Sequence, residues 1–376
     1  MFQSITAQEL HDKMENQEVY ILDVRAASAY NDWKISGNHI ISANVQTSKL
    51  KEFGPEAFVE IPKDREIIVT CAKGNASKEA TEILNNHGYQ AINLIGGMQA
   101  WSEFYYAVPV VESADLELLQ VIRPAKGCLS YMIISDGEAT VVDPARDHQY
   151  YINLAKEKGV HITHVLDTHC HADHISGGSN LAIDTGAKYW VAESEMPDAK
   201  ISFHPLKEGM TLQIGHSTLE VIAIPTPGHT PGSTSFFINK EFLLSGDTVF
   251  VSGLGRPDLG GKAREWAKLL YQTVVEQLNK IPDDVLILPA HYSDHTEIKS
   301  AGFVGALLGE IRKDNHLLRD QIMEDDFAKA VTVNLGLTPP NYETIVLVNR
   351  GLTMVDDQEA SDLEIGPNRC AVKHLA

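Results

Sequence analysis

Thr168-His-Cys-His-Ala-Asp-His174 directly follows an apolar run that ends at Val165-Leu166. Its reading decides the fold of the larger part of the chain. Four metal-competent side chains fall within it: His169, His171, Asp173 and His174. A segment leaving a strand aims alternate side chains the same way, so His169 and His171 converge. Cys170 between them points the opposite way and reads as a small core residue. Further candidates follow, each in a turn at the end of a strand-like run. They are His229 in Thr226-Pro-Gly-His-Thr-Pro-Gly232, Asp247 in Ser245-Gly-Asp-Thr248, and His291 in Pro289-Ala-His291. A donor set of imidazoles and carboxylates with no required thiolate suits zinc, Fe(II) or manganese.

The rest of the chain sets the frame around that cluster. At 376 residues the length predicts two or three domains. Hydrophobic residues make up 43% and charged residues 22%, a globular composition that excludes disorder as the main state. The formal net charge is −20, which argues against nucleic acid or an anionic membrane as the chief partner. No apolar run approaches the roughly 18 residues that span a bilayer. The N-terminal stretch lacks a basic segment followed by an apolar one, so no secretory signal is expected. Four widely spaced cysteines form no CxxC pair, and the simplest setting is a reducing, cytoplasmic one.

The first hundred residues alternate strand and helix signals. Glu18–Leu22, Glu66–Thr70 and Ala91–Ile95 read as strands, and Ala76–Asn86 reads as a helix stopped by Gly88. Such interleaving predicts a mostly parallel α/β sheet. A linker is expected near residues 106–115, where helical periodicity fails and Pro109 intervenes. Beyond it, strand signals cluster at 130–134, 139–142, 161–168, 219–224, 234–238 and 242–245. Helical stretches are expected at 150–159, 263–280 and 303–323, and the segment after Thr338 is expected to pack on the second domain. Clustered strands with flanking helices predict a layered sandwich.

A second reactive group lies in the first segment. Cys71 ends the strand Glu66–Thr70, and the loop Cys71-Ala-Lys-Gly-Asn-Ala-Ser77 enters the following helix. A tight glycine-containing loop at a helix N-terminus makes a cradle of backbone N–H groups. The residues Ala72, Lys73, Gly74, Asn75, Ala76 and Ser77 would line it, and its field would stabilise a thiolate or a covalent persulfide at Cys71. A phosphatase loop would need arginine where Ser77 stands.

These motifs carry two resemblances. Ile21-Leu-Asp-Val-Arg25, the Cys71 loop, and Leu94-Ile-Gly-Gly-Met-Gln-Ala-Trp101 followed by Val108-Pro109 resemble the rhodanese sulfurtransferases over residues 1–110. That resemblance implies Cys71 as the persulfide-carrying nucleophile and a structural role for Asp23 and Arg25. Many members carry arginine late in the loop, where this chain has Ala76. The histidine motifs and Gly253-Leu-Gly-Arg-Pro-Asp258 resemble the metallo-β-lactamase superfamily, in particular its persulfide dioxygenase branch, beside the glyoxalase II hydrolases. The expected fold is therefore an α/β rhodanese domain (1–110) plus an αββα metallo-β-lactamase sandwich with a C-terminal extension (115–376).

The second resemblance implies one Fe(II) per chain held by His169, His229 and Asp247. His171, Asp173, His174 and His291 would then orient those ligands, or would hold a second metal if the site is a two-zinc one. Arg256 is the candidate contact for an anion or thiol carrier, or a support for the metal loop. His291 is followed by Tyr-Ser-Asp-His, which departs from both branches. The implied activity is oxidation of a low-molecular-weight thiol persulfide to sulfite, joined to sulfur transfer through a Cys71 persulfide. The implied partners are the thiol persulfide, dioxygen, and thiosulfate or sulfite, with no nucleic acid or membrane and with room for a homo-oligomer. Glutathione, bacillithiol and coenzyme A are the candidate carriers. The alternatives are a two-zinc thioester hydrolase with an accessory rhodanese, and a sulfide-responsive sulfur carrier or sensor.

Overall fold

The computed structural model describes residues 3–215, 220–319, 322–333, 335, 338, 341–367 and 370. The chain divides into two compact units. The first comprises Met1–Phe104, Arg123–Lys126 and Ile365–Pro367, and the second holds the rest.

The first unit is built on five parallel strands in the order Ser4–Ile5, Gln90–Leu94, Glu66–Thr70, Val19–Asp23, Ile40–Asn44. Their short β-branched runs are buried on both faces, as a parallel sheet covered by helices requires. Cys71 leaves the carboxyl end of the central strand, where open α/β sheets place their ligands. The helix Asn75–Asn86 follows at once. Asp23, 1% exposed, takes a bidentate ion pair from Arg25, consistent with a structural role for both.

The second unit is a four-layer sandwich. Seven strands lie in the order His204–Leu206, Lys188–Ala192, His161–Leu166, Glu138–Val142, Cys128–Ser135, Glu117–Arg123, Tyr106–Glu112. Six lie in the order Thr211–Gln213, Glu220–Pro225, Thr234–Ile238, Phe242–Gly246, Leu286–Pro289, Ala306–Leu307. One apolar cluster joins the two sheets through Leu118, Ile133 and Leu166 on one side and Phe236, Leu244 and Leu288 on the other. A second packs Tyr151, Ala155 and Leu181 of flanking helices on the seven-stranded sheet. A third packs Ala267, Leu270, Phe327 and Val331 on the six-stranded sheet. Helices thus cover both outer faces, and the expected αββα order is present.

Three expectations change. The expected linker at 106–115 is instead largely the edge strand Tyr106–Glu112, antiparallel to Glu117–Arg123. Pro109 is tolerated because the strand lies at the edge and its register shifts between Pro109 and Val111. The second unit therefore takes up the chain at Tyr105, before the expected boundary. The single helix expected at 303–323 is broken. Ala306–Leu307 adds to the sheet beside Leu286–Pro289, and short helices follow at Leu308–Asp314 and His316–Arg319. Asn315 interrupts them and accepts the Leu317 N–H on its side chain, a local bond that competes with helix continuation. The helix from Ala263 is regular only to Gln272, then widens and tightens before Lys280. The expected strand 219–224 begins at a residue outside the described set and otherwise runs as Glu220–Pro225.

Phe236 is fully buried between the sheets. Phe236→Ala should lower unfolding free energy by about 3–5 kcal/mol in urea titration. A loss under about 1 kcal/mol would contradict this core.

Candidate metal centre and sulfur loop

The metal candidates sit on loops at one end of the paired strands. His161–Leu166 delivers Thr168 to His174, Glu220–Pro225 precedes the His229 turn, and Phe242–Gly246 delivers Asp247. Leu286–Pro289 delivers His291. Gly255 lets the chain return close to this centre: a Cβ there would lie 1.9 Å from the Asp247 carbonyl oxygen.

Among the described residues, His169, His229 and Asp247 form one group whose ligand atoms lie within 4.8 Å of one another. His229 Nε2 is 3.4 Å and His169 Nε2 3.9 Å from Asp247 Oδ2. All three residues are buried. Their outer atoms are committed. His229 Nδ1 lies 3.0 Å from the Arg256 carbonyl oxygen, which only accepts, so that nitrogen carries the proton. Thr168 Oγ1 donates to Asp143, so it accepts from His169 Nδ1 at 2.9 Å. Both imidazoles thus engage Nδ1 on the outside and turn Nε2 inward, the orientation a metal ligand needs. Asp247 Oδ1 takes a 2.6 Å bond from His291 Nδ1, while its Oδ2, equally buried, has no partner. Burial holds His169 well below the usual histidine range, so it stays neutral. Burial opposes the Asp247 charge, but the bond and charge of His291 outweigh it and keep the carboxyl ionised. A two-histidine, one-carboxylate pocket in which one carboxylate oxygen has no hydrogen-bond donor fits a divalent cation.

The other predicted positions close around this triad. His291 Nε2 reaches Asp173 Oδ2 at 2.9 Å, so its two nitrogens clamp two carboxylates. Burial works against the His291 charge, yet Asp247 and Asp173 raise it well above the ordinary range. His174 Nδ1 meets Asp173 Oδ1 at 3.0 Å; burial opposes its charge, but Asp173 prevails and raises it to about 10. His171 turns Nε2 toward Asp143 at 3.2 Å, and its buried Nδ1 has no partner. Arg256 is wholly buried and holds Asp258 through two bonds of 2.7 and 2.8 Å, while its carbonyl fixes His229. Cys170 is buried beside Glu195, and burial pushes its thiol up to about 12, as an inert core cysteine requires.

Sequence reasoning missed the groups that fasten these loops. Asp143 holds a left-handed conformation (φ 53°) and accepts from Thr168 N and Thr168 Oγ1. Its signal was an Asp-Pro pair ending an apolar strand. Glu195 accepts from Cys170 N (2.9 Å) and Gly232 N (2.6 Å), tying the first histidine loop to the His229 turn. Cys128 lies 3.4 Å from Asp173 and groups with Asp173, His174 and His291 within 4.8 Å. Asn349 and Glu364 reach the same loop from late in the chain. Neither Glu195 nor Asn349 stands in a motif that would have marked it.

In the first unit, Cys71 is 4% exposed. Its Sγ accepts from Gly74 N at 3.1 Å and from the Ser77 hydroxyl at 3.2 Å. Gly97 packs under the loop, where a Cβ would stand 2.2 Å from the Cys71 carbonyl oxygen. Met98 N and Gln99 N bond the Cys71 and Ala72 carbonyls. Ala72, Lys73, Asn75 and Ala76 face solvent around the sulfur. Asn75 and Ala76 open the helix, with Gly74 as its left-handed cap.

Comparison with known proteins agrees with both units. The family profile described as Rhodanese-like domain matches residues 6–104, and that of the metallo-β-lactamase superfamily matches residues 123–291. The chain belongs to the metallo-β-lactamase superfamily and carries a rhodanese-like domain on its N-terminal side. Among its relatives, the mitochondrial persulfide dioxygenase ETHE1 of Homo sapiens is 33% identical over 187 residues, 47% of this chain and 69% of the relative. A hydroxyacylglutathione hydrolase of Polaromonas is 36% identical over 157 residues, 41% of this chain and 57% of the relative. The crystal structure of ETHE1 from Myxococcus xanthus superposes with a TM-score of 0.53 at 25% identity, covering 62% of this chain and 97% of that one. Among the described residues, no helix is long and apolar enough to cross a membrane.

Asp247→Asn should weaken metal binding beyond the roughly 10–100-fold typical of losing an outer-sphere partner, whereas His291→Gln should stay inside that range. Equilibrium dialysis with metal analysis reads both. Equal losses would place His291 among the direct ligands.

Proposed function

We propose that the second unit is an iron-dependent persulfide dioxygenase and the first a sulfurtransferase that shares its sulfur pool. The observation that carries this reading is the triad of His169, His229 and Asp247, with His291 clamping the outer carboxylate oxygen. The persulfide dioxygenase relatives support it. The overall reaction balances as RSSH + O2 + H2O → RSH + H2SO3. The sulfane sulfur loses four electrons to dioxygen, and water supplies the third sulfite oxygen. One Fe(II), held by the triad, would supply dioxygen activation and open positions for the substrate sulfur.

The chain's own residues do the rest. The Arg256 carbonyl, and Asp143 through Thr168, engage the outer nitrogens of His229 and His169 and so turn their Nε2 atoms toward the centre. His291, charged between Asp247 and Asp173, holds the ligating carboxylate ionised and in one orientation. Arg256 acts here as a support of the metal loop. At Cys71, the Gly74 N–H and Ser77 hydroxyl would hold negative charge on the sulfur or on its persulfide. Transfer to sulfite would break the Cys71 S–S bond, form thiosulfate and return the thiolate. With Ala76 in place of a late-loop cation, the cradle offers no guanidinium to an entering oxyanion. Thiol persulfides are therefore favoured over thiosulfate as its sulfur donors. Expected partners are a thiol persulfide of glutathione, bacillithiol or coenzyme A, and dioxygen.

A second reading follows from Cys128, Asp173, His174 and His291, which could take a second metal and support a two-zinc thioester hydrolase. Oxygen consumption and sulfite release separate the two. Purified enzyme given glutathione, bacillithiol or coenzyme A persulfide in air should take up one O2 per sulfite formed. Zinc-loaded protein that hydrolyses thioesters and consumes no oxygen with any of the three would overturn the dioxygenase.

Cys71→Ser should abolish sulfur transfer and leave oxygen uptake within about twofold, which also separates two enzymes from a sensor. Ala76→Arg should raise kcat/KM for thiosulfate-to-cyanide transfer at least about tenfold, the worth of one charge-assisted contact of roughly 1.5–3 kcal/mol. No gain would remove Ala76 as the reason for donor choice.

A further inference from the structure

The loop from Thr168 to Ile175 is irregular backbone, yet every residue in it is buried. Buried loops are rare because their N–H and C=O groups lack a strand or helix ladder and must find other partners. Here several of those partners come from late in the chain. Asn349, at the end of the helix Tyr342–Asn349, donates through Nδ2 to the His171 carbonyl (2.8 Å) and to the His174 carbonyl (3.0 Å). Its Oδ1 accepts from Ser176 N at 2.9 Å. One amide thus spends both hydrogens and its oxygen on one loop. Glu364, at the end of the helix Asp357–Glu364 and 0% exposed, accepts from Ile175 N at 2.7 Å. Arg146 answers its charge through a 3.2 Å bond to Oε2 and also donates to Ser361 at 2.8 Å. Ile345 and Ala360 of the two helices pack on Ile175.

Neither Asn349 nor Glu364 is in the metal triad, and their bonds to the loop go to backbone atoms of His171, His174, Ile175 and Ser176. We infer that Asn349 and Glu364 are positioning residues, and that these two helices form a clasp that sets the metal-binding geometry of the His169–His174 loop. The inference rests on the reading that His169, His229 and Asp247 hold the metal. Its physical basis is directional. The amide fixes where two carbonyls point, and those carbonyls flank the Cα positions of His171 and His174. Removing it leaves two carbonyls of buried residues and the half-buried Ser176 N–H without that partner, and the loop relieves them by turning toward water.

The test uses full-length protein loaded with Co(II), whose visible bands report ligand geometry independently of turnover. Asn349→Asp keeps the shape and the acceptor for Ser176 but sets a carboxylate oxygen against two carbonyls. Asn349→Ala removes all three bonds, and Glu364→Gln keeps an acceptor for Ile175 while losing the ion pair with Arg146. The two Asn349 variants should bind Co(II) about 10–100-fold more weakly, the range for outer partners of metal ligands. Their visible bands should shift, with far-UV circular dichroism unchanged. Glu364→Gln should move both readouts in the same direction and less. Lowered melting temperature with unchanged Co(II) affinity and spectrum would overturn the inference and leave an ordinary packing role. If the Asn349 variants fail to fold, Glu364→Gln decides on the same two readouts. The parent reading fails separately, if Asp247→Ala leaves the Co(II) spectrum of the otherwise unaltered protein unchanged.

Discussion

A carboxylate oxygen that receives no hydrogen bond, buried between two inward-facing imidazole nitrogens, is the constraint that organises the second unit. Asp247 is held ionised by His291 on its other oxygen, and its buried inner oxygen receives no hydrogen bond from the protein. Such a group is costly unless a cation answers it. A divalent cation held by the three donors would answer that charge. Every neighbouring interaction then has one task, which is to stop the three donors from relaxing toward one another or toward solvent.

That task is distributed over residues far apart in the chain. Asp143 orders His169 through Thr168 and faces His171 directly. The Arg256 carbonyl orders His229. Glu195 bridges the two histidine-bearing loops through their backbone N–H groups. The sandwich supplies rigid strand ends; the buried polar side chains convert those ends into a fixed donor geometry. The sulfur loop of the first unit uses a lighter version of the same device. One N–H and one hydroxyl address the sulfur, and Gly97 allows the supporting segment to come close.

The motifs made legible which residues the fold gathers in each unit. His169, His229, Asp247 and Cys71 all stand in short turns at the ends of apolar runs, where strand and turn signals coincide. A layered sandwich was legible in the clustered β-branched runs with flanking helical stretches, and its αββα order was implied by the resemblance to the metallo-β-lactamase superfamily. Tyr106–Glu112 was obscured by Pro109, which an edge strand tolerates and an interior strand does not. The helix expected through Ala306 was obscured because its apolar period matches a helix, while the open edge beside Leu286–Pro289 claimed it for the sheet. Glu195, Asn349 and Glu364 were invisible because they bond backbone atoms. A backbone partner leaves no residue-type pattern in the sequence, and only the folded loop reveals which carbonyl needs a donor.

The central claim is that one metal sits among His169, His229 and Asp247. Anomalous diffraction from crystals of the protein purified with its native metal, recorded on both sides of the iron and zinc edges, tests it most directly. The account predicts a single peak per chain, enclosed by those three side chains and present above the iron edge. Two zinc peaks, one of them enclosed by Asp173, His174 and His291, would contradict it.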